Sequence, residues 1–143
     1  MEQKKSKGCV LLVEDNDEMR RFLVSILRAD GYETAEATSA SEGVNYIYDS
    51  WGMDGGPVRR LDLIVSDVRM PGGLNGIDLL DVVCRAHTGT PVLLMTAFGA
   101  PETHQVAARL GAVAVLNKPF SVDEFRATVA AIVQQDSTGA CGL

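Results

Sequence analysis

No stretch of this 143-residue chain is apolar for long enough to cross a bilayer, which takes about 20 such residues in a helix. The basic start, MEQKKSKG, runs into only five apolar residues before Glu14, so the apolar centre of a secretory signal is missing and the chain is expected in the cytoplasm. Cysteine is scarce: Cys9, Cys84 and Cys141 show no Cys-x-x-Cys spacing and are expected as ordinary reduced thiols, which fits that compartment. An excess of positive charge is also missing. With a net charge of -6 and a pI near 4.8, the chain has no basic footprint for nucleic acid, and direct nucleic-acid binding is not expected. The cluster Lys4, Lys5 and Lys7 reads as a solubilising tail. There is no G-x-x-x-x-G-K-[ST] run, which leaves a P-loop nucleotide enzyme without support.

What is present is ordinary globular composition, 46% hydrophobic and 22% charged. A chain of this length forms one domain that buries roughly 70% of its unfolded surface without disulfides or a structural metal. Short apolar runs alternate with helical patterns, the mark of parallel strands joined by crossover helices. The first strand is 9–13 (CVLLV), and a helix from Asp17 carries Met19, Phe22, Leu23, Ile26 and Leu27 on its buried stripe, closed by Gly31. The more polar strand 32–37 belongs at a sheet edge, and Ser39 with Glu42 makes a capping box for a second helix to about Tyr48. A loop at 49–60 follows, then a central strand at 61–66 (LDLIVS). The third helix is expected at 77–86, the fourth strand at 92–95, and a fourth helix from Pro101 to the closing Gly111. A fifth strand at 113–116 precedes a last helix with a capping box at Ser121 and Glu124 and a buried face of Val122, Phe125, Val129, Ile132 and Val133. The domain is expected over 8–134, between a basic tail at 1–7 and a C-terminal tail or linker stump at 135–143.

Ligand sites in open parallel sheets form at the carboxyl ends of the strands. Glu14 and Asp15 follow the first strand, Asp67 the third, Thr96 the fourth and Lys118 the fifth, so residues distant in the chain converge on one rim. Carboxylates gathered there repel: two unit charges ~4 Å apart cost about 4 kcal/mol at an effective dielectric of ~20. A cation relieves the repulsion, and hard oxygen donors of this kind suit Mg²⁺, with Mn²⁺ as a substitute. Asp67 is then a nucleophile able to accept a phosphoryl group, with metal held by Asp15, Asp67 and Glu14, and with Lys118 and the Thr96 hydroxyl on the remaining oxygens. Each residue alone has a plainer reading, since acids at strand ends often cap helices; it is the set that carries the chemistry.

The motifs VEDN (13–16), SDVRMPGG (66–73), MTAFG (95–99) and NKPF (117–120), in this order and each at a strand end, resemble the receiver domain of two-component response regulators. The resemblance implies a flavodoxin-like three-layer αβα sandwich: a five-stranded parallel sheet of order 2-1-3-4-5 with five helices. It implies a signalling phosphoacceptor, not an enzyme acting on a separate substrate. Asp67 would take its phosphoryl group from the phosphohistidine of a sensor histidine kinase or phosphotransfer protein, and a downstream effector would read the change. It further implies Glu14 and Asp15 as the acidic pair, the Arg69 backbone carbonyl as a third metal ligand, Thr96 as the switch hydroxyl, Lys118 as the family's lysine and a cis Lys118-Pro119 bond. Dimerisation, weak if present, would use the fourth helix, fifth strand and fifth helix.

The chain departs from the family pattern at Val115, where an aromatic is usual; a β-branched side chain cannot make the same rotamer swing. Output would then travel through the fourth helix or the loop after Thr96, with Phe98 as a substitute by position. The turn MPGGLNG is one Gly longer than the commonest form, and the loop at 49–60 is also long. Trp51, Met53, Arg59 and Arg60 there form either a partner contact or a solvated insertion with Trp51 folded onto a helix. His87 and His104 read as solvated helix residues. Two other classes stay open: a Mg²⁺-dependent phosphohydrolase, which would want a second acid where Arg69 stands, and an interaction module of the same fold that no longer uses phosphate.

Overall fold

The computed structural model describes residues 6–52, 55, 56, 58–70, 72–86, 88–97 and 101–136. Strands and helices alternate: β1 (Cys9–Val13), α1 (Asp17–Ala29), β2 (Glu33–Ala37), α2 (Ala40–Ser50), β3 (Leu63–Asp67), α3 (Gly76–Arg85), β4 (Val92–Thr96), α4 (Pro101–Leu110), β5 (Ala114–Asn117) and α5 (Val122–Asp136). The five strands pair in parallel in the order β2-β1-β3-β4-β5, the architecture expected, with polar β2 at an edge and apolar β3 in the centre.

Strand residues alternate between two cores because successive side chains point to opposite faces. Val10, Leu12, Leu63, Val65, Leu93 and Met95 pack with α1 and α5 through Leu23, Leu27, Phe125 and Val129. Leu11, Val13, Ile64, Val92 and Leu94 pack with α2, α3 and α4 through Ile47, Leu79, Leu80 and Ala107. The crossover from β1 to β2 thus lies on one face and the crossover from β2 to β3 on the other. The sheet changes direction of growth at β1, which opens a crevice between β1 and β3 at their carboxyl ends.

Several local expectations are corrected. β3 begins at Leu63, not at residue 61: the Asp62 N–H still donates to the Cys9 carbonyl of β1 at 2.9 Å, but the Asp62 carboxylate takes the Cys9 N–H at 2.8 Å, where a longer ladder would offer a backbone carbonyl. Asp67 is therefore the last residue of the strand, paired with Met95, and not the first residue after it. Phe22 and Val122, assigned to buried stripes, are 50% and 40% exposed. The stripe of α1 turns to Arg20, Leu23, Val24 and Leu27. Ser39 Oγ caps α2 by accepting from the Glu42 N–H, but the Glu42 carboxylate turns to the Thr38 N–H at 3.0 Å, so the box is half made. The complete capping box is at Asn75 and Asp78, opening α3. Gly31 and Gly111 close α1 and α4 with positive φ, as expected. Met53, His87, Phe98 and Cys141 lie outside the described residues.

Candidate functional site

The β1–α1 turn brings two acids to the rim. Glu14 continues past β1, its N–H donating to the Ala37 carbonyl at 3.0 Å, and its side chain is 1% exposed. Asp15 beside it is exposed. Asn16 then caps α1 through Oδ1, which accepts from the Met19 N–H at 2.8 Å, so the helix starts directly behind the acidic pair.

From β3 comes Asp67, 8% exposed. The strand is held against β4 one residue further by the Val68 N–H on the Met95 carbonyl at 2.8 Å, and the chain then folds back so that the Gly76 N–H reaches the Val68 carbonyl at 3.0 Å. Gly76 is buried, and a Cβ built there would collide with the Asp67 carbonyl oxygen. Close approach of α3 to the end of β3 is thus what requires glycine. Gly76→Ala should cost about 2 kcal/mol through overpacking against backbone. Its melting temperature should fall by roughly 5–10 °C. Thermal denaturation checks this, and an unchanged midpoint would refute the close-approach account.

Thr96 ends β4, is 3% exposed and pairs with Asn117 in β5. The next residue, Lys118, donates its backbone N–H to the Thr96 carbonyl at 2.7 Å, and the Lys118-Pro119 bond is cis. Its ammonium reaches back across the sheet: Nζ donates to Glu14 Oε1 at 2.8 Å and to Asp67 Oδ2 at 2.8 Å. One cation therefore ties the ends of β1 and β3.

The electrostatics follow from burial. Burial pushes the Glu14 carboxyl above its ordinary range, against the opposing pull of Lys118 and the Asn16 N–H. For Lys118, burial disfavours the charge, but hydrogen bonds to Asp67 and Glu14 outweigh it and hold the ammonium above its ordinary value.

Among the described residues, Glu14, Asp15 and Asp67 each present a carboxylate oxygen, all within 4.8 Å of one another. Opposite oxygens around Mg²⁺ stand about 4.2 Å apart, so these donors fit a hard divalent ion after a small closure. The single ammonium of Lys118 leaves the cluster with surplus negative charge that such an ion would neutralise. Arg69 is exposed, and its N–H donates to Asp67 Oδ1 at 3.2 Å, which puts its backbone beside the same carboxylate.

The predicted residues Glu14, Asp15, Asp67, Thr96 and Lys118 all fall at one end of the sheet. Val115 is half-buried against the α2–α4 side core. His104, expected in solvent, is half-buried and shares a hydrogen bond of 2.9 Å with Asn117 Oδ1. Sequence reasoning missed Arg20, which is 8% exposed and donates to the Glu14 carbonyl. It also missed Gly76, for which the string NGID was the available signal: Asn followed three residues later by Asp marks a helix start hard against the preceding strand.

A family profile for the response regulator receiver domain matches residues 10–130. The chain is similar to the regulatory protein AtoC of Escherichia coli, 33% identical over 90% of this chain and 26% of AtoC. It is 33% identical to the transcriptional regulatory protein FixJ of Bradyrhizobium diazoefficiens over 91% of this chain and 58% of FixJ. The chain thus spans less than two thirds of the length of either relative. Among solved structures, the receiver domain of Francisella response regulator 1452 superposes with a TM-score of 0.76 at 26% identity, covering 90% of this chain and 98% of that domain. No described helix is long and apolar enough to cross a membrane.

Proposed function

The chain belongs to the response regulator receiver domain family, and on that footing we propose that it accepts a phosphoryl group on Asp67 from the phosphohistidine of a sensor kinase or phosphotransfer protein. Like other receivers, it turns over only its own phosphoryl group. The observation that carries the reading is the Lys118 ammonium 2.8 Å from both Glu14 and Asp67, inside a cluster of three carboxylates.

Asp67 supplies the attacking oxygen and is oriented by Lys118 and by the Arg69 N–H. Asp15, Asp67 and the Arg69 carbonyl would hold Mg²⁺, or Mn²⁺ in its place, with Glu14 contributing directly or through water. When bound, the ion neutralises charge on the transferring oxygens. Lys118 would neutralise a further phosphoryl oxygen, and the Thr96 hydroxyl would donate to another. The receiver unit is 8–134, with 1–7 and 135–143 as flanking segments. It works in the cytoplasm with a kinase upstream and an effector downstream, and any self-association uses α4, β5 and α5. Val115 is too stiff for an aromatic-type swing, so output passes through α4 or the loop after Thr96. Mg²⁺-dependent gain of one phosphoryl mass from acetyl phosphate tests the reading, and no gain in the wild type rejects it.

Asp15→Asn removes one of three neighbouring negative charges. The metal-free protein should therefore melt a few degrees higher, the gain being limited by the exposure of Asp15. Its stabilisation by Mg²⁺ should be lost. Melts with and without Mg²⁺ decide this. A variant that melts lower yet keeps the Mg²⁺ response would count against the site.

A further inference from the structure

We infer that Arg20 is a positioning residue for the acidic pair, a role that rests on the phosphoacceptor reading above. Arg20 sits in the first turns of α1 with its guanidinium folded under the β1–α1 turn, 8% exposed. Each of its nitrogens has a different acceptor. Nη1 donates to the Glu14 backbone carbonyl at 3.0 Å, Nη2 to Asp17 Oδ1 at 2.7 Å, and Nε to Glu36 Oε1 at 3.2 Å.

The Glu14 carbonyl belongs to the peptide that joins Glu14 to Asp15. A hydrogen bond onto that carbonyl fixes the rotation of the peptide plane, and with it the direction in which the Asp15 side chain leaves the backbone. Asp15 has no such support of its own, being exposed where Glu14 and Asp67 are buried and tied to Lys118. The two outer prongs hold the guanidinium in place: Asp17 belongs to the same helix, while Glu36 belongs to β2, the strand beside β1.

An ordinary surface ion pair would look different. Arg126 with Asp30 is the internal comparison: two prongs on one carboxylate, no backbone acceptor, and an Arg side chain 51% exposed. Arg20 instead buries its charge to reach a carbonyl at the rim. The three donors of a lysine ammonium radiate from one nitrogen at the end of a flexible stem, whereas Arg20 reaches its three acceptors from three separate nitrogens held in one plane.

Groups that orient metal ligands from behind typically change metal affinity by 10–100-fold when altered. Arg20→Lys and Arg20→Gln should therefore raise about tenfold the Mg²⁺ concentration that gives half of the ion's thermal stabilisation, and equally the concentration for half-maximal phosphorylation by acetyl phosphate. The rate at saturating Mg²⁺ should stay within about threefold of wild type, because Asp67, Thr96 and Lys118 are untouched. Lower melting temperature with an unchanged half-saturation is what mere packing would give, and it overturns the inference. Should both variants fail to fold, Asp17→Asn combined with Glu36→Gln loosens the fork from side chains that are 65% and 39% exposed. That double variant should raise the half-saturation about threefold, and a wild-type value in it overturns the inference equally. Wild type phosphorylated without any dependence on Mg²⁺ removes the metal reading and this role together; a Mg²⁺-dependent wild type beside unaffected Arg20 variants removes this role alone.

Discussion

Asp67→Asn, incubated with acetyl phosphate and Mg²⁺, is expected to gain no phosphoryl mass, its rate falling below about one hundredth of wild type as the attacking oxygen is lost. The substitution keeps shape and most of the surroundings. Asp67 accepts from the Arg69 N–H on Oδ1 at 3.2 Å and from Lys118 on Oδ2 at 2.8 Å; an asparagine has one acceptor oxygen, so it keeps the shorter bond to Lys118 and gives up the longer one to Arg69. Lys118 also keeps its bond to Glu14, so the buried cation is not stranded. Loss of the adduct can then be assigned to the missing carboxylate and not to unfolding, which a melting curve within a few degrees of wild type would verify. An adduct that persists in Asp67→Asn would place the acceptor elsewhere. Steady release of phosphate from small esters would favour a hydrolase, although Arg69 stands where such an enzyme would want an acid to protonate the leaving group.

The parts of this arrangement that were legible in the sequence depend on periodicity. Runs such as CVLLV and VLLM are too short and too apolar for anything but buried strands, and the rule that ligands gather at carboxyl ends then places Glu14, Asp15, Asp67, Thr96 and Lys118 together. Periodicity could not say which of two flanking apolar residues faces inward. On α1, Phe22 and Val24 border the stripe on either side; Val24 is buried and Phe22 is half exposed. The choice was made by Arg20, whose three acceptors at the end of β1, on β2 and on α1 draw a charged residue under the sheet rim. A burial driven by polar partners on three different elements leaves no hydrophobic signal. Gly76 was hidden for a related reason: the collision that demands glycine is with the carbonyl of Asp67, and backbone neighbours across a loop are not written in composition. The tie between His104 on α4 and Asn117 on β5 likewise joins side chains thirteen residues apart and leaves no mark in periodicity.

Lys118→Met carries the largest expected effect on stability, because it strips the counter-charge from two carboxylates at once. The Lys118 side chain is 18% exposed, with Glu14 at 1% and Asp67 at 11%, so water cannot replace the lost ammonium. Breaking one side of a buried ion pair costs about 3 kcal/mol or more. For a domain of this size that lowers the melting temperature by roughly 10 °C. The pH dependence separates this cause from a packing defect. Burial already raises Glu14 above its ordinary value of 4.5, so between that value and its folded pKa the native state holds a proton that the unfolded chain has released, and stability falls as pH rises. Without Lys118 the opposing pull disappears, Glu14 is raised further, and the interval of falling stability extends upward. The deficit of the variant should therefore be largest near neutral pH and shrink as pH falls through the folded pKa of Glu14, where the native carboxyl takes up its proton. Lys118 itself, held above 10.5, contributes fully below that value and loses its contribution only as pH rises through its folded pKa, so its own titration leaves the acidic side untouched. Mg²⁺ should restore more degrees to the variant than it adds to wild type, since the ion enters a site with one positive charge fewer. Melts across pH with and without Mg²⁺ test all of this; a deficit independent of pH, or a Mg²⁺ gain no greater than in wild type, would mean that Lys118 fills space at the rim and does not balance its charge.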